Sequence, residues 1–287
     1  MDIAHSYSDK ELYELEKELT KIYKEATKEL KEKLKKQLED LLKWEEKNEK
    51  LKAENIEEYN LQRQNKLIQI DTKKNIIENI SKDILYINEQ VIDIINDVNL
   101  NIYSANYNYI LKSLNKQGAN ISFEIYNKQI VANLIKKNTN LFPTRKIDVA
   151  KDLLWNNKKI KSEMIKGIVK GESLFKIANR LENVTDMNKK SSIRNARTAI
   201  TNVESKARQD GFAYAENLGI ELQKKWISTN DARTRDSHAF LNGEIVDTNS
   251  NFSNGLCYPG DPSGAPAEVY NCRCTIGSIL KKNYKEM

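Results

Sequence analysis

Residues 226–276 read WISTNDARTRDSHAFLNGEIVDTNSNFSNGLCYPGDPSGAPAEVYNCRCTI, and they differ in kind from the rest of the chain. They hold all three cysteines, one of the two histidines and three of the four prolines. Proline and glycine gather where turn geometry outweighs helix propensity, so this block is expected to carry strands, turns and an ordered loop. Before it, GIELQKKWI reads as a strand ending at Trp226. STND offers an N-cap, and ARTRDSHAFL predicts about two helical turns, with Asp231 as the cap. Asn242-Gly243 is a two-residue turn leading into EIVD as a second strand. The loop 249–266 should be pinned by Phe252 and Tyr258, and VYNCRCTIGSIL should return as the last strand.

Upstream, the pattern is helical. Leu12, Leu15, Leu19, Ile22 and Ala26 step by three and four, and Leu30, Leu34 and Leu38 continue by four, which predicts a helix over 8–52. Ile77, Ile80, Ile84, Ile87, Val91, Ile94 and Val98 predict a second over 71–115, stopped near Gly118. Shorter helices are expected over 122–137, 147–155 and 158–169, and after Ser173. A long one over 188–218 should close at Gly219. Tyr103, Tyr107 and Tyr109 read better as core than as base-stacking residues. LFPTR at 141–145 marks the expected boundary between a helical region, 1–142, and a second domain, 143–287. The fold class is therefore mostly α with a C-terminal α+β part: long N-terminal helices, then a helical segment ending in a small antiparallel sheet and a long ordered loop.

The formal net charge is +6, and its distribution says more than its sum. Counted along the sequence it is −4 over 1–60, +3 over 61–144, +8 over 145–225 and −1 over 226–287. A basic belt between near-neutral blocks suits contact with a polyanion, and a solvated helical surface equally. Within it Arg194, Arg197, Thr201, Glu204 and Arg208 form a row at helical spacing, readable as an internally paired face or as a phosphate-contacting one. No apolar run approaches the ~18–20 residues of a membrane span. The N-terminus also lacks the apolar core of a signal peptide, so the protein is expected on the cytosolic side of any membrane.

Three cysteines do not make a disulfide framework. His238, Cys272 and Cys274 are the ligand types zinc prefers and would form a structural metal site, although Cys-x-Cys is tighter than the usual ligand spacing. Buried, inert thiols are the competing reading. Asp231, Asp236, Asp261 and Glu268 would have to converge with His238 and the cysteines to build a metal-dependent nuclease or related enzyme. More simply, Arg233 and Arg235 bond to carbonyls or acids and hold the loop. There is no phosphate-binding glycine loop and no zinc-protease helix.

Taken in order, Gly171, Arg197-Thr198, Gly211, Trp226, Asp231-x-Arg233-Thr234-Arg235, His238, Leu241-x-Gly243, Tyr258-Pro259-Gly260-Asp261 and Asn271-Cys272-Arg273-Cys274 resemble the phage head morphogenesis family. This is the group of minor head proteins typified by those of phages Mu and SPP1. The resemblance covers about 147–276, and Cys257 departs from it. It implies a minor capsid protein with no enzymatic activity, associated with the portal protein and with major capsid or scaffold proteins. Such a protein is present in few copies in the virion, at the capsid interior or portal vertex, after assembly in the host cytoplasm. It would act in capsid assembly and in packaging or ejection of double-stranded DNA. Arg194, Arg197 and Arg208 are then the candidate non-specific DNA contacts. The additional C-terminal toxin or enzyme module of some relatives is expected to be absent.

Overall fold

The computed structural model describes residues 2–137 and 148–281. The expected boundary at 141–145 lies outside them, and so does the 142/143 division. The described residues are 71% helical and finish in a three-stranded antiparallel sheet, the class expected from the sequence. In order the elements are α1 (Ile3–Gln37), α2 (Glu39–Lys47), α3 (Glu49–Glu54), α4 (Ile56–Lys74), α5 (Ile76–Lys116), α6 (Lys128–Lys137), α7 (Val149–Val169), α8 (Leu174–Asn179) and α9 (Leu181–Asn217). Then follow β1 (Leu222–Ile227), α10 (Asp236–Phe240), β2 (Ile245–Asp247), α11 (Pro266–Val269) and β3 (Thr275–Leu280).

Asparagine decides several of the helix ends. The single helix expected over 8–52 is divided at Leu38 and Asn48, whose backbones leave helical geometry. Asn75 takes a left-handed φ of 52° between α4 and α5, and Asp71 Oδ1 accepts the Ile77 N–H beyond it at 2.9 Å. Asn bears that conformation better than most side-chain-bearing residues. Over 122–137 only α6 is helical. The Ile121 and Tyr126 N–H groups are instead held by the side-chain amides of Asn115 and Asn108, at 2.5 and 2.8 Å. In the opposite sense, 147–155 and 158–169 join as α7, capped where Asp148 accepts from Lys151 N.

The described residues fall into two compact units. One gathers those of Glu18–Ile92 and Lys146–Ser192. Its hydrophobic core is aliphatic: Leu30, Leu34, Leu38 and Leu41 meet Leu67, Ile70, Ile80 and Ile84, with Ile160, Met164, Ile177 and Val184, while Arg63, Asn156 and Glu163 are also buried in this unit. Close approach of α7 to α8 needs Gly167, where a Cβ would stand 2.7 Å from Ile177 Cγ1.

The other gathers those of Met1–Lys17, Asp93–Arg145 and Ile193–Met287. Here the sheet runs in the order β2-β1-β3, with Trp226 opposite Ile276 and Lys225 opposite Gly277. Alternation along β1 buries Leu222, Lys224 and Trp226. Tyr103 and Tyr107 are buried, and Tyr107 stacks on Tyr126 at 4.2 Å between centroids, which makes them core.

Candidate metal centre

The helix expected over 232–241 is only α10, because Asp231 caps a turn instead. Its carboxylate accepts from Arg233 N at 2.9 Å and from the Thr234 hydroxyl at 3.3 Å, and is paired with both end nitrogens of Arg273. That guanidinium holds the Asp231 carboxyl well below the usual carboxylate range. Arg235 donates to the Tyr270 carbonyl, while the Arg233 side chain is largely exposed. Arg235 thus holds the segment after α11 rather than the loop 249–266, and Arg233 lies only near Asp231, at 3.9 Å.

His238 is enclosed at the centre of this arrangement. The Trp226 ring lies edge-on to it at 5.3 Å, and the Ser228 hydroxyl, which accepts from Trp226 Nε1, donates to the His238 carbonyl. Glu268 Oε2 lies 2.9 Å from His238 Nε2. An ionised carboxylate only accepts, so Nε2 carries the proton, and in the neutral ring Nδ1 presents its lone pair inward. Inward are the two sulfurs: Cys272 Sγ at 3.5 Å and Cys274 Sγ at 3.6 Å. The three ligand atoms lie within 4.8 Å of one another, and all three residues are buried. The Cys274 thiol is pushed down chiefly by its hydrogen bond with Cys272, against burial. Cys272 is pushed up by that same bond and by burial.

The Asn271–Cys274 turn is fixed from several sides. Asn271 has φ 57°, its N–H reaches Thr198 Oγ1 at 3.3 Å, and Thr201 Oγ1 donates to the Cys272 carbonyl at 2.5 Å. Thr229 Oγ1 donates to the Arg273 carbonyl at 2.7 Å. The preceding loop rests directly on α9: a Cβ at Gly260 would come within 2.9 Å of Asn202 N, and Asn202 Nδ2 donates to the Gly260 carbonyl. Asp261 accepts from Cys257 N and Ser263 N, Pro259 is buried, and burial with the nearby Asp261 pushes the Tyr258 hydroxyl up. Gly243, at φ 91°, closes the turn through its N–H to the Trp226 carbonyl. Cys257 is not part of the cluster; its sulfur lies 3.1 Å from Lys224 Nζ, which also donates to the Cys257 carbonyl. Burial pushes the Lys224 ammonium down, against that hydrogen bond.

The predicted arginine row needs correction. Arg208 cannot meet a phosphate, because its side chain is wholly enclosed. Its guanidinium donates to both carboxylate oxygens of Asp2, to the Ile276 carbonyl at 2.9 Å and to Asn106 Oδ1 at 2.9 Å, with Glu204 at 3.3 Å. Glu204 also meets His5 Nδ1 at 2.9 Å and the Thr275 hydroxyl at 2.6 Å. Burial alone would raise the Glu204 carboxyl, and Arg208 and His5 bring it down instead. Arg197 is bound to both oxygens of Glu16, and Arg194 is exposed. Asp2, His5 and Asn106 were not legible as site residues, since nothing in their local sequence points across the chain. The four-residue spacing of Glu204 and Arg208 was the one available signal.

Of the carboxylates invoked for an enzyme, only Glu268 meets His238, and Asp231 and Asp261 are engaged elsewhere. Asp231 is engaged by Arg273, Glu268 by His238 and Ser237, and Asp261 by its own loop. Among the described residues His238, Cys272 and Cys274 are the one group able to hold a metal ion.

Comparison with known proteins fits this arrangement. The phage Mu protein F like family matches residues 158–277. The minor head protein GP7 of Bacillus phage SPP1 is 25% identical over 204 residues, covering 62% of this chain and 64% of that protein. An NAD(+)–arginine ADP-ribosyltransferase of Enterococcus faecalis is 33% identical over 123 residues, 42% of this chain but 25% of that protein. The chain thus spans less than two thirds of either relative. No solved structure matches. Residues 158–277 contain α9, β1, β2 and the whole histidine–cysteine cluster, and it is this region of the chain that matches the phage Mu protein F like family, in keeping with a family of head morphogenesis proteins.

Proposed function

We infer that the protein is a minor capsid protein, associated with the portal and acting in head assembly and in packaging or ejection of the DNA genome. The observation that carries this reading is the family match, supported by a likeness to a minor head protein that extends beyond residues 158–277. In this reading residues 143–287 form the minor head protein domain, and the helical region 1–142 carries the surface that meets portal, major capsid or scaffold protein. Asp2 and His5 are spent inside the unit that holds the sheet, so the docking surface is drawn from the helices that follow. The protein would reside in the virion, at the capsid interior or portal vertex. No described helix is long and apolar enough to cross a membrane.

The role is read as structural rather than enzymatic: Asp231, Asp261 and Glu268, three of the four carboxylates that a nuclease would use, are each held by a neighbour. The ADP-ribosyltransferase likeness covers a quarter of that protein and does not carry its named activity here. Any DNA contact would be sequence-independent and salt-sensitive, and would fall to exposed basic residues such as Arg194, with Arg197 joining only by leaving Glu16. The test is co-purification with the portal protein encoded by the same phage, followed by the protein content of procapsids assembled with and without this chain. Stable portal association and incorporation are expected. A chain that neither binds the portal nor enters procapsids, or that cleaves DNA with added divalent metal, overturns the reading.

A further inference from the structure

We propose that His238 Nδ1, Cys272 Sγ and Cys274 Sγ hold one zinc ion, which ties α10 to the turn before β3. This goes beyond the head-protein reading and does not depend on it. The distances carry the argument. Zinc binds thiolate at about 2.3 Å and imidazole at about 2.0–2.1 Å in tetrahedral geometry, which sets a sulfur and a nitrogen on one ion roughly 3.6 Å apart. Both sulfurs stand at that separation from the same nitrogen, 3.5 and 3.6 Å. One lone pair on Nδ1 accepts one S–H well; two sulfurs equidistant from it are what a shared ion produces.

The surroundings agree. The carboxylate of Glu268 on the far nitrogen, at 2.9 Å, is the outer partner that orients metal-binding histidines and makes them better donors. The Cys274 N–H points at Cys272 Sγ, 3.4 Å away, as an N–H donor to a thiolate would. Two thiolates neutralise a divalent zinc, so the bound site carries no net charge into a buried region, where an uncompensated charge is costly. Sulfur with imidazole selects zinc over magnesium or calcium. The protein supplies these three ligands, and the fourth position of the tetrahedron falls to water. The ion would bridge positions 34 and 36 residues apart in the sequence, across a loop with little regular structure to hold it.

The experiment is elemental analysis of the full chain purified without chelator from zinc-supplemented medium. Zinc-edge X-ray absorption and cobalt substitution follow, with melting in and out of chelator. About one zinc per chain is expected, with two sulfur neighbours near 2.3 Å and nitrogen or oxygen near 2.0–2.1 Å. Cobalt should give thiolate charge-transfer and tetrahedral d–d bands, and chelator should lower Tm. Cys257→Ser should keep all of these, and Glu268→Gln should keep the bands while weakening zinc affinity about 10–100-fold. The double variant Cys272→Ser/Cys274→Ser should lose the bands; if it does not fold, the absorption spectrum of the unaltered protein still decides. Absence of stoichiometric zinc and of cobalt bands overturns the proposal. So does a metal shell without sulfur, or bands that vanish in Cys257→Ser.

Discussion

Helices α1, α5 and α9 each supply residues to both compact units, yet the two interiors are built from different materials. The unit of Glu18–Ile92 and Lys146–Ser192 is filled mainly by a ladder of leucine and isoleucine, with Arg63 and Glu163 its buried charged residues. The unit with the sheet encloses Arg208, Glu204, Lys224 and His238 among its apolar residues. The aliphatic interior draws its stability from burial, which is non-directional and tolerates small shifts. The mixed interior depends on each donor finding its acceptor, because a buried charge left alone costs more than a lost contact. A helix that is uniform in shape can thus carry two kinds of interior, chosen by what sits on its inner face.

The contrast can be broken by substitution. Arg208→Ala leaves the carboxylates of Glu204 and Asp2 enclosed without their cation and should cost about 3–5 kcal/mol. Leu34→Ala in the other unit should cost about 3 kcal/mol through its cavity. Urea unfolding followed across pH separates the two cases: the Leu34→Ala loss should be constant, and the Arg208→Ala loss should depend on pH. If both losses were flat with pH, the two interiors would not differ in the way described.

A finer probe is His5. Burial would lower its pKa, but the hydrogen bond and charge of Glu204, with Asp9 adding and Arg208 opposing, raise it from 6.5 to about 8. The folded value lies above the unfolded one. The stabilisation, about 2 kcal/mol at 1.36 kcal/mol per pKa unit, is therefore complete below pH 6.5 and is lost as pH rises through 8. His5→Gln should flatten the stability profile across that window, and an unchanged slope would remove His5 from the account. The smallest effect belongs to Glu16→Gln. It breaks a partly exposed pair with Arg197, and should cost 1 kcal/mol or less and fade with added salt, as read from the urea midpoint.

The aliphatic unit was largely legible because its signal is periodic: Leu30, Leu34, Leu38 and Ile77, Ile80, Ile84 all fall in its core. What periodicity could not supply was the breaks at Asn48 and Asn75, where a local backbone conformation overrides a continuing apolar pattern. In the mixed unit the turn at Asn242-Gly243 and the strand ending near Trp226 were readable from local chemistry. The trio His238, Cys272 and Cys274 was readable from residue type. Glu268 was visible only as a stray carboxylate, and Lys224 looked like an ordinary strand lysine. Arg208 could not be told from a phosphate contact because its acceptors on Asn106, Asp2 and Ile276 lie 68 to 206 positions away.

Those separations also set an order in time. The partners of Arg208 are Asp2 near the start of the chain, Asn106 in its middle and the Ile276 carbonyl on the last strand. During synthesis the arginine is made long before its final acceptor, and non-local contacts form late in folding. The aliphatic unit has its last core residue, Val184, almost a hundred residues before β3 is complete. A nascent chain can therefore settle that unit while the other still waits with an exposed guanidinium, and β3 is the piece whose arrival lets it close.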